Sequence, residues 1–243
     1  MDKKILIFDF DGTLTPYPIT PVKILEQCGY EGGMISPLFI EKLKCKMDSS
    51  GLDSYAASYE LLFEILKENN ILASYENFGM AAEEIDYNLG VYEFLEKFYT
   101  KGINNYLVSS SAKPFLEQTI VAKFFKDIFA TTFIVDSDEI AYETDFLMTD
   151  EKKVDVIKKI LVENGYDVDD CHNLIYVGDG LTDLCAMEYI KNRGGETIFV
   201  YLDNEGKTSA FNNKNIISYV EEANYSEDSD LFKIIWKLCD FDN

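Results

Sequence analysis

Residues 4–8, Lys-Ile-Leu-Ile-Phe, form a short apolar run that breaks off at Asp9-Phe10-Asp11-Gly12-Thr13-Leu14-Thr15. Such a run, too short for a helix and rich in β-branched and aromatic residues, reads as a strand buried on both faces of a parallel sheet. In open α/β sheets the carboxyl ends of strands are where ligands bind, and two acids stand at this one. A chain that places Asp9 and Asp11 there must satisfy them, because isolated carboxylates are costly to bury.

The same grammar recurs downstream. Apolar runs at 105–109, 128–131, 174–178 and 198–201 alternate with helical patterns at 113–125, 151–164 and 181–192. Strands alternating with helices imply a parallel sheet, here a doubly wound, Rossmann-like α/β core. Residues 16–88 break the alternation. Their period is helical, clearest in Tyr55, Tyr59, Leu62, Phe63 and Leu66, and we read them as an inserted helical cap domain between core segments 1–15 and 89–243. The aromatic stripe reads as packing rather than a ligand box. Residues 132–148 read as a small peripheral β-hairpin with an acidic turn at Asp136-Ser-Asp-Glu139, 221–230 as a solvated acidic loop, and 231–239 as a last helix.

Composition narrows the function. With 22 basic against 44 acidic residues the net charge is -22, a field that repels nucleic acid and anionic lipid. We therefore expect no nucleic-acid and no membrane partner. Five widely spaced cysteines form no CxxC or Cys/His cluster, which points to a reducing, cytoplasmic compartment. No signal-like or spanning apolar stretch is expected, since Asp9 and Asp11 interrupt the first run. Asp167-Val-Asp169-Asp170 begins like a calcium loop but has His172 and Gly178 where glycine and glutamate are required, so it reads as a turn. His172, the single histidine, is read as a polar residue preceding a strand. No glycine-rich nucleotide loop occurs.

Acids also follow a second run. Gly178-Asp179-Gly180-Leu181-Thr182-Asp183 succeeds Leu174–Val177 and opens a helix. If the two strands are neighbours, Asp9, Asp11 and Asp179 converge on one hard divalent cation such as Mg2+, which prefers oxygen ligands. Gly12 and Thr13 offer backbone N–H groups to an anion. Ser109 and Ser110, in the hydroxyl run Ser109–Ser111 at a strand end, and Lys152 or Lys153, at the start of a helix, complete a phosphate site.

These four segments, in this order, resemble the haloacid dehalogenase superfamily of Asp-dependent phosphohydrolases, over about 4–15 and 89–205, with the helical insertion resembling the superfamily's cap. The Asp-Phe-Asp-Gly-Thr form and the hairpin resemble the phosphoserine phosphatase branch. The resemblance implies that Asp9 is the nucleophile and Asp11 the acid/base. It implies that Ser109 and Ser110 hold a phosphoryl oxygen, that a lysine neutralises charge, that Asp179 binds Mg2+, and that Asp183 holds a metal-bound water or the lysine. Lys153 is preferred over Lys152 because Val156, Ile157 and Ile160 follow it at +3, +4 and +7.

The implied activity is a Mg2+-dependent phosphomonoesterase acting on a small phosphorylated metabolite through an aspartyl-phosphate. The alternatives are a phosphomutase or phosphotransferase of the same superfamily and a non-enzymatic phospholigand-binding protein. Phosphoserine phosphatases grip the substrate carboxylate with a cap arginine. The one arginine here is Arg193, in the core, so phosphoserine is a disfavoured substrate.

Overall fold

The computed structural model describes residues 3–16, 20–30, 37–50, 54–203, 206, 208, 210 and 215–241. Strand β1 (Ile5–Phe8) is fully buried, and β3 (Asn104–Ala112) and β6 (Leu174–Gly178) flank it in parallel. Outward from β3 lies β4 (Asp127–Val135); outward from β6 lie β7 (Glu196–Tyr201) and β8 (Tyr219–Glu222), all parallel to their inner neighbours. An antiparallel margin completes eight strands: β5 (Ile140–Phe146) on β4, and β2 (Ala73–Ser74) on β5. The order is β2-β5-β4-β3-β1-β6-β7-β8.

The chain steps from β1 to one side through β3 and β4, then crosses to the other through β6 and β7. The sheet therefore has its topological switch at β1, where the crevice outside the strand ends takes a ligand. Helices α5 (Val91–Thr100), α7 (Asp150–Glu163), α8 (Leu184–Lys191) and α9 (Asp230–Leu238) accompany the strands. Helix α7 begins where Thr149 caps it by accepting from Lys152 N, and its Ile157, Ile160 and Leu161 are buried with Ile5, Ile7 and Tyr176.

Between β1 and α5 come α1 (Thr20–Gln27), α2 (Pro37–Ser50), α3 (Ser54–Glu68) and α4 (Tyr75–Glu83). Of the aromatic stripe, Tyr59, Leu62 and Leu66 on α3 are buried and Phe63 packs against the same core; the side chain of Tyr55 lies outside the described residues, as do 17–19, 31–36 and 51–53 of the expected cap. Tyr59, Phe63 and α4's Phe78 surround Phe133 of β4 with ring centroids 5.4, 5.1 and 5.7 Å away. These rings are core, worth about 0.5–1.5 kcal/mol per pair beyond their burial. The hairpin β4–β5 is thus less peripheral than its sequence suggests, because the inserted helices pack on it and β2 pairs with its outer strand.

Two local expectations fail. The helix expected over 113–125 is α6 (Lys113–Leu116), a turn, and a 3-10 segment at Ala122–Phe124. The β-branched run Thr119-Ile120-Val121 disfavours continued helix, and Thr119 and Ala122 bond back three residues, to Leu116 O and Thr119 O. The acidic stretch from 221 is not all loop, because Glu221 and Glu222 complete β8 in register with Val200 and Tyr201.

Candidate active site

Asp9 follows β1 directly and is 6% exposed. Its Oδ1 accepts from Phe10 N at 2.8 Å and its Oδ2 lies 3.2 Å from Lys153 Nζ. Lys153 is fully buried and reaches Asp183 Oδ1 at 2.7 Å. The hydroxyl of Tyr176, on β6, donates to the same oxygen at 2.6 Å, and Gly180 N donates to Asp183 Oδ2 at 3.1 Å. Asp183 therefore fixes the lysine and closes the loop after β6. Gly178 permits it: a Cβ there would stand 2.5 Å from Asp183 Oδ2.

Asp179 joins from β6's end. Thr13 Oγ1 donates to its Oδ1 at 3.1 Å, and oxygens of Asp9, Asp179 and Asp183 all lie within 4.8 Å of one another. The loop from β1 is itself held from two sides, since Thr13 O accepts from Asn88 Nδ2 at 2.8 Å and from the buried Tyr225 hydroxyl at 3.0 Å. At Gly12, with φ at +77°, a Cβ would come 2.2 Å from Asp179 Oδ2. Only glycine tolerates that backbone conformation and that approach together.

Three carboxylates against one ammonium leave two negative charges in a nearly dry site. Burial pushes Asp9 up from 3.8 to about 6; Lys153 opposes that rise, and Asp183 adds to it. Asp179 is raised well above the usual carboxylate range, first by burial and then by the charges of Asp183 and Asp9. For Lys153 burial works downward, but Asp183 and Asp9 outweigh it and hold the ammonium protonated. The cluster is short of two positive charges, and its donor set is all oxygen, the combination a hard divalent cation satisfies. Two oxygens on one Mg2+ at about 2.1 Å stand at most about 4.2 Å apart, so the observed spacing needs only small carboxylate rotations.

The remaining expected residues divide. Ser109 and Ser110 are buried on β3, where the pairing with β4 slips between Val108 and Ala112, so that the serine run sits on an irregularity that re-aims side chains. The Ser109 hydroxyl lies close enough to Asp9 to work against the rise of its pKa. Lys152 is not in the cluster. One residue around the helix, about 100° from Lys153, its Nζ donates to Leu147 O at 2.8 Å and lies 4.4 Å from the Phe146 ring centroid. Nor is Asp11 among the clustered oxygens, whose third member is Asp183. The Asp11 carboxylate accepts from Thr20 Oγ1 at 2.9 Å and from the Ser111 hydroxyl. Sequence reasoning assigned no role to Thr20, Ser111, Tyr176, Asn88 or Tyr225, since nothing local marks a partner that is distant in the chain.

A mostly parallel α/β sheet brings together carboxylates at two adjacent strand ends, a buried lysine between them and hydroxyls on the third strand, a set able to hold a hard cation. Residues 6–188 match the model of the haloacid dehalogenase-like hydrolases, and the chain belongs to that family. A search of curated proteins returned no match. Among solved structures it is similar to a substrate-bound phosphoserine phosphatase (19% identity, 98% of this chain and 99% of that one, TM-score 0.66). It is also similar to a phosphoserine phosphohydrolase-like protein from Francisella tularensis subsp. tularensis (19%, 96% and 99%, 0.63). A third is a HAD family hydrolase from Salmonella enterica subsp. enterica serovar Typhi (15%, 90% and 67%, 0.66). At these identities the likeness is one of fold. No described helix is long and apolar enough to cross a membrane.

Proposed function

We propose that the chain is a Mg2+-dependent phosphomonoesterase for a small phosphorylated metabolite, working through an aspartyl-phosphate on Asp9. The observation that carries this reading is the Asp9 carboxylate, pinned on one oxygen by Phe10 N and set 3.2 Å from a fully buried ammonium beside Asp179. Asp9, Asp179 and Asp183 would hold the cation, which supplies charge stabilisation to the transferring phosphoryl group. In the first step an Asp9 oxygen attacks phosphorus and the ester P–O bond breaks, with Asp11 giving its proton to the leaving alcohol oxygen. In the second, Asp11 takes a proton from the water that attacks the phosphoenzyme, releasing phosphate and regenerating Asp9. Ser109, Ser110, Gly12 and Lys153 orient the phosphoryl oxygens, whereas Thr13, expected among them, spends its N–H on Phe10 O at 3.2 Å and its hydroxyl on Asp179 and so holds the loop instead. Splitting the reaction through a carboxylate nucleophile is an established use of aspartate.

Residues 16–88 act in this reading as a cap over the site, bounded by core segments 1–15 and 89–243. That insertion carries no arginine or histidine, and its cations are Lys23, Lys42, Lys44, Lys46 and Lys67. Lys23, Lys42 and Lys46 pair with glutamates of the insertion itself, while Lys44 and Lys67 are exposed. Arg193 pairs with Asp169 at 2.9 Å and stacks 4.0 Å from the Tyr189 centroid. No guanidinium is thus positioned for a bidentate grip on a carboxylate, so the alcohol half of the substrate carries none, and phosphoserine is turned over poorly. Five free thiols suit a reducing cytoplasm.

The test is a panel of small phosphomonoesters with and without Mg2+. Phosphate release that requires Mg2+ and disappears in Asp9→Asn is expected, with phosphoserine at least about tenfold below the best uncharged alcohol phosphate, as a site without the matching polar partner dictates. Silence across the whole panel overturns the reading, and isomerisation of a sugar phosphate without net release replaces it with a phosphomutase.

A further inference from the structure

Asp11 is 4% exposed and sits two residues beyond Asp9, and it accepts from two hydroxyls of its own. Thr20 Oγ1 lies 2.9 Å from Asp11 Oδ1 and 3.2 Å from Oδ2. The Ser111 hydroxyl donates to Oδ2 and lies 3.0 Å from Thr20 Oγ1. The two hydroxyls come from different bodies of the fold. Thr20 opens α1, in the insertion, and Ser111 lies on the irregular stretch of β3, where its backbone N donates to Ser109 Oγ at 3.2 Å. Ser109 in turn neighbours Asp9, whose pKa it works to lower. Tyr59 of α3 is fully buried, its hydroxyl without a well-formed hydrogen bond, and its pKa is raised first by burial and then by the charge of Asp11.

We propose that Thr20 and Ser111 are positioning residues that hold the Asp11 carboxyl at the angle from which it serves the leaving-group oxygen, so that acid catalysis depends on the seating of α1 over β3. The inference rests on the phosphomonoesterase reading and adds two residues to it. A carboxyl group at the end of a strand turns freely about its last torsion, which is broad and roughly two-fold. Hydroxyls from two directions remove that freedom, one on each oxygen and linked to each other. A carboxylate needs donors merely to be buried, and one element could have supplied both. Drawing one from the insertion and one from the sheet makes the orientation of Asp11 conditional on their apposition. The hydroxyls themselves exchange no proton with substrate: the proton that reaches the leaving oxygen comes from Asp11, as the P–O bond breaks and the Asp9–phosphorus bond forms.

The test compares kcat/KM, which reports the step up to formation of the phosphoenzyme, for an alkyl phosphate and for p-nitrophenyl phosphate. The alkyl oxygen leaves only with a proton, whereas nitrophenolate leaves without one. Thr20→Val and Ser111→Ala are expected to lower kcat/KM for the alkyl ester about 10–100-fold, the cost of misplacing an acid by about 1 Å, and for p-nitrophenyl phosphate by less than about threefold on the same grounds. Thr20→Ser, which keeps the hydroxyl, restores the ratio. Equal losses on both esters, no loss on either, or collapse of the fold in both variants by circular dichroism overturns the assignment and leaves the pair structural. A wild-type enzyme inert towards every ester instead defeats the phosphatase reading itself, and the two failures are told apart by that control.

Discussion

Lys153→Met removes the one buried ammonium from a site that holds three carboxylates. Lys153 Nζ is 2.7 Å from Asp183 and 3.2 Å from Asp9, and at an effective dielectric of about 20 each attraction is worth roughly 5 kcal/mol gross. Returning the ammonium to water recovers much of that sum, and removing one partner of a buried ion pair costs about 3–5 kcal/mol net. For a chain of this size 1 kcal/mol moves the midpoint by about 2–4 °C, so metal-free Lys153→Met should melt roughly 6–20 °C below wild type. Lys152→Met, one residue away, loses a half-exposed contact to Leu147 O and should change stability by no more than about 1 kcal/mol. The pair is compared by calorimetry in chelator. Mg2+ added back should recover part of the Lys153→Met loss, since it supplies positive charge to the same oxygens, but not turnover, where a missing electrostatic donor costs about 10²–10³-fold. A Lys153→Met protein that melts within about 1 °C of wild type, or a Lys152→Met protein that falls as far, would refute the electrostatic account of the site.

Asp179→Asn should weaken Mg2+ binding at least about tenfold in calorimetric titration while raising the stability of the metal-free protein, because it removes a charge that burial and two neighbouring acids disfavour; a lowered metal-free midpoint would contradict that. Gly12→Ala, with its Cβ driven to 2.2 Å from Asp179 Oδ2 at positive φ, should cost only about 1–2 kcal/mol in urea melts but at least about 10²-fold in turnover, because the side chain that must yield is the proposed metal ligand. The metal-free protein should also lose stability as pH rises. Asp9 is raised from 3.8 to about 6 by burial, so between those values the native state binds more protons than the unfolded chain; the contribution is complete below about 4 and is lost through about 6, on the order of 2–3 kcal/mol. Urea midpoints of wild type and Asp9→Asn in chelator check it, and parallel pH dependences in the two proteins would exclude Asp9 as the source.

How much of this is legible from the chain differs between fold and site, for physical reasons. The fold's centre is written locally. Ile5–Phe8 and Leu174–Val177 are buried on both faces and so built of apolar and aromatic residues, and each leads to its acid, Asp9 directly and Asp179 after Gly178. The margins are written poorly. Strand β8 contains Glu221 and Glu222 because it lies at the sheet's edge, where side chains meet water and a polar strand looks like a loop. Strand β2 is two residues long and exists only because β5 offers it partners. The helix expected over 113–125 failed where β-branched residues met a chain that tightens into i→i−3 bonds, a choice that tertiary packing decides.

In the site, what sequence exposes is chemistry and what it hides is orientation. Carboxylates at strand ends are conspicuous, but which of them face one another depends on the turn after each strand. The structure turns Asp9, Asp179 and Asp183 together and sends Asp11 toward Thr20 and Ser111, nine and a hundred residues away. The same holds for the lysines. Adjacent in sequence and identical in chemistry, they are separated by a helix that rotates about 100° per residue, so one is locked between two acids and the other rests on Phe146. Net charge conceals the outcome as well. A chain at -22 gives a mean field hostile to phosphate, and a single buried ammonium among three carboxylates leaves the site itself two positive charges short. That deficit makes a divalent cation the natural complement, and in the proposed reading it is the cation that would let an acidic protein receive an anion.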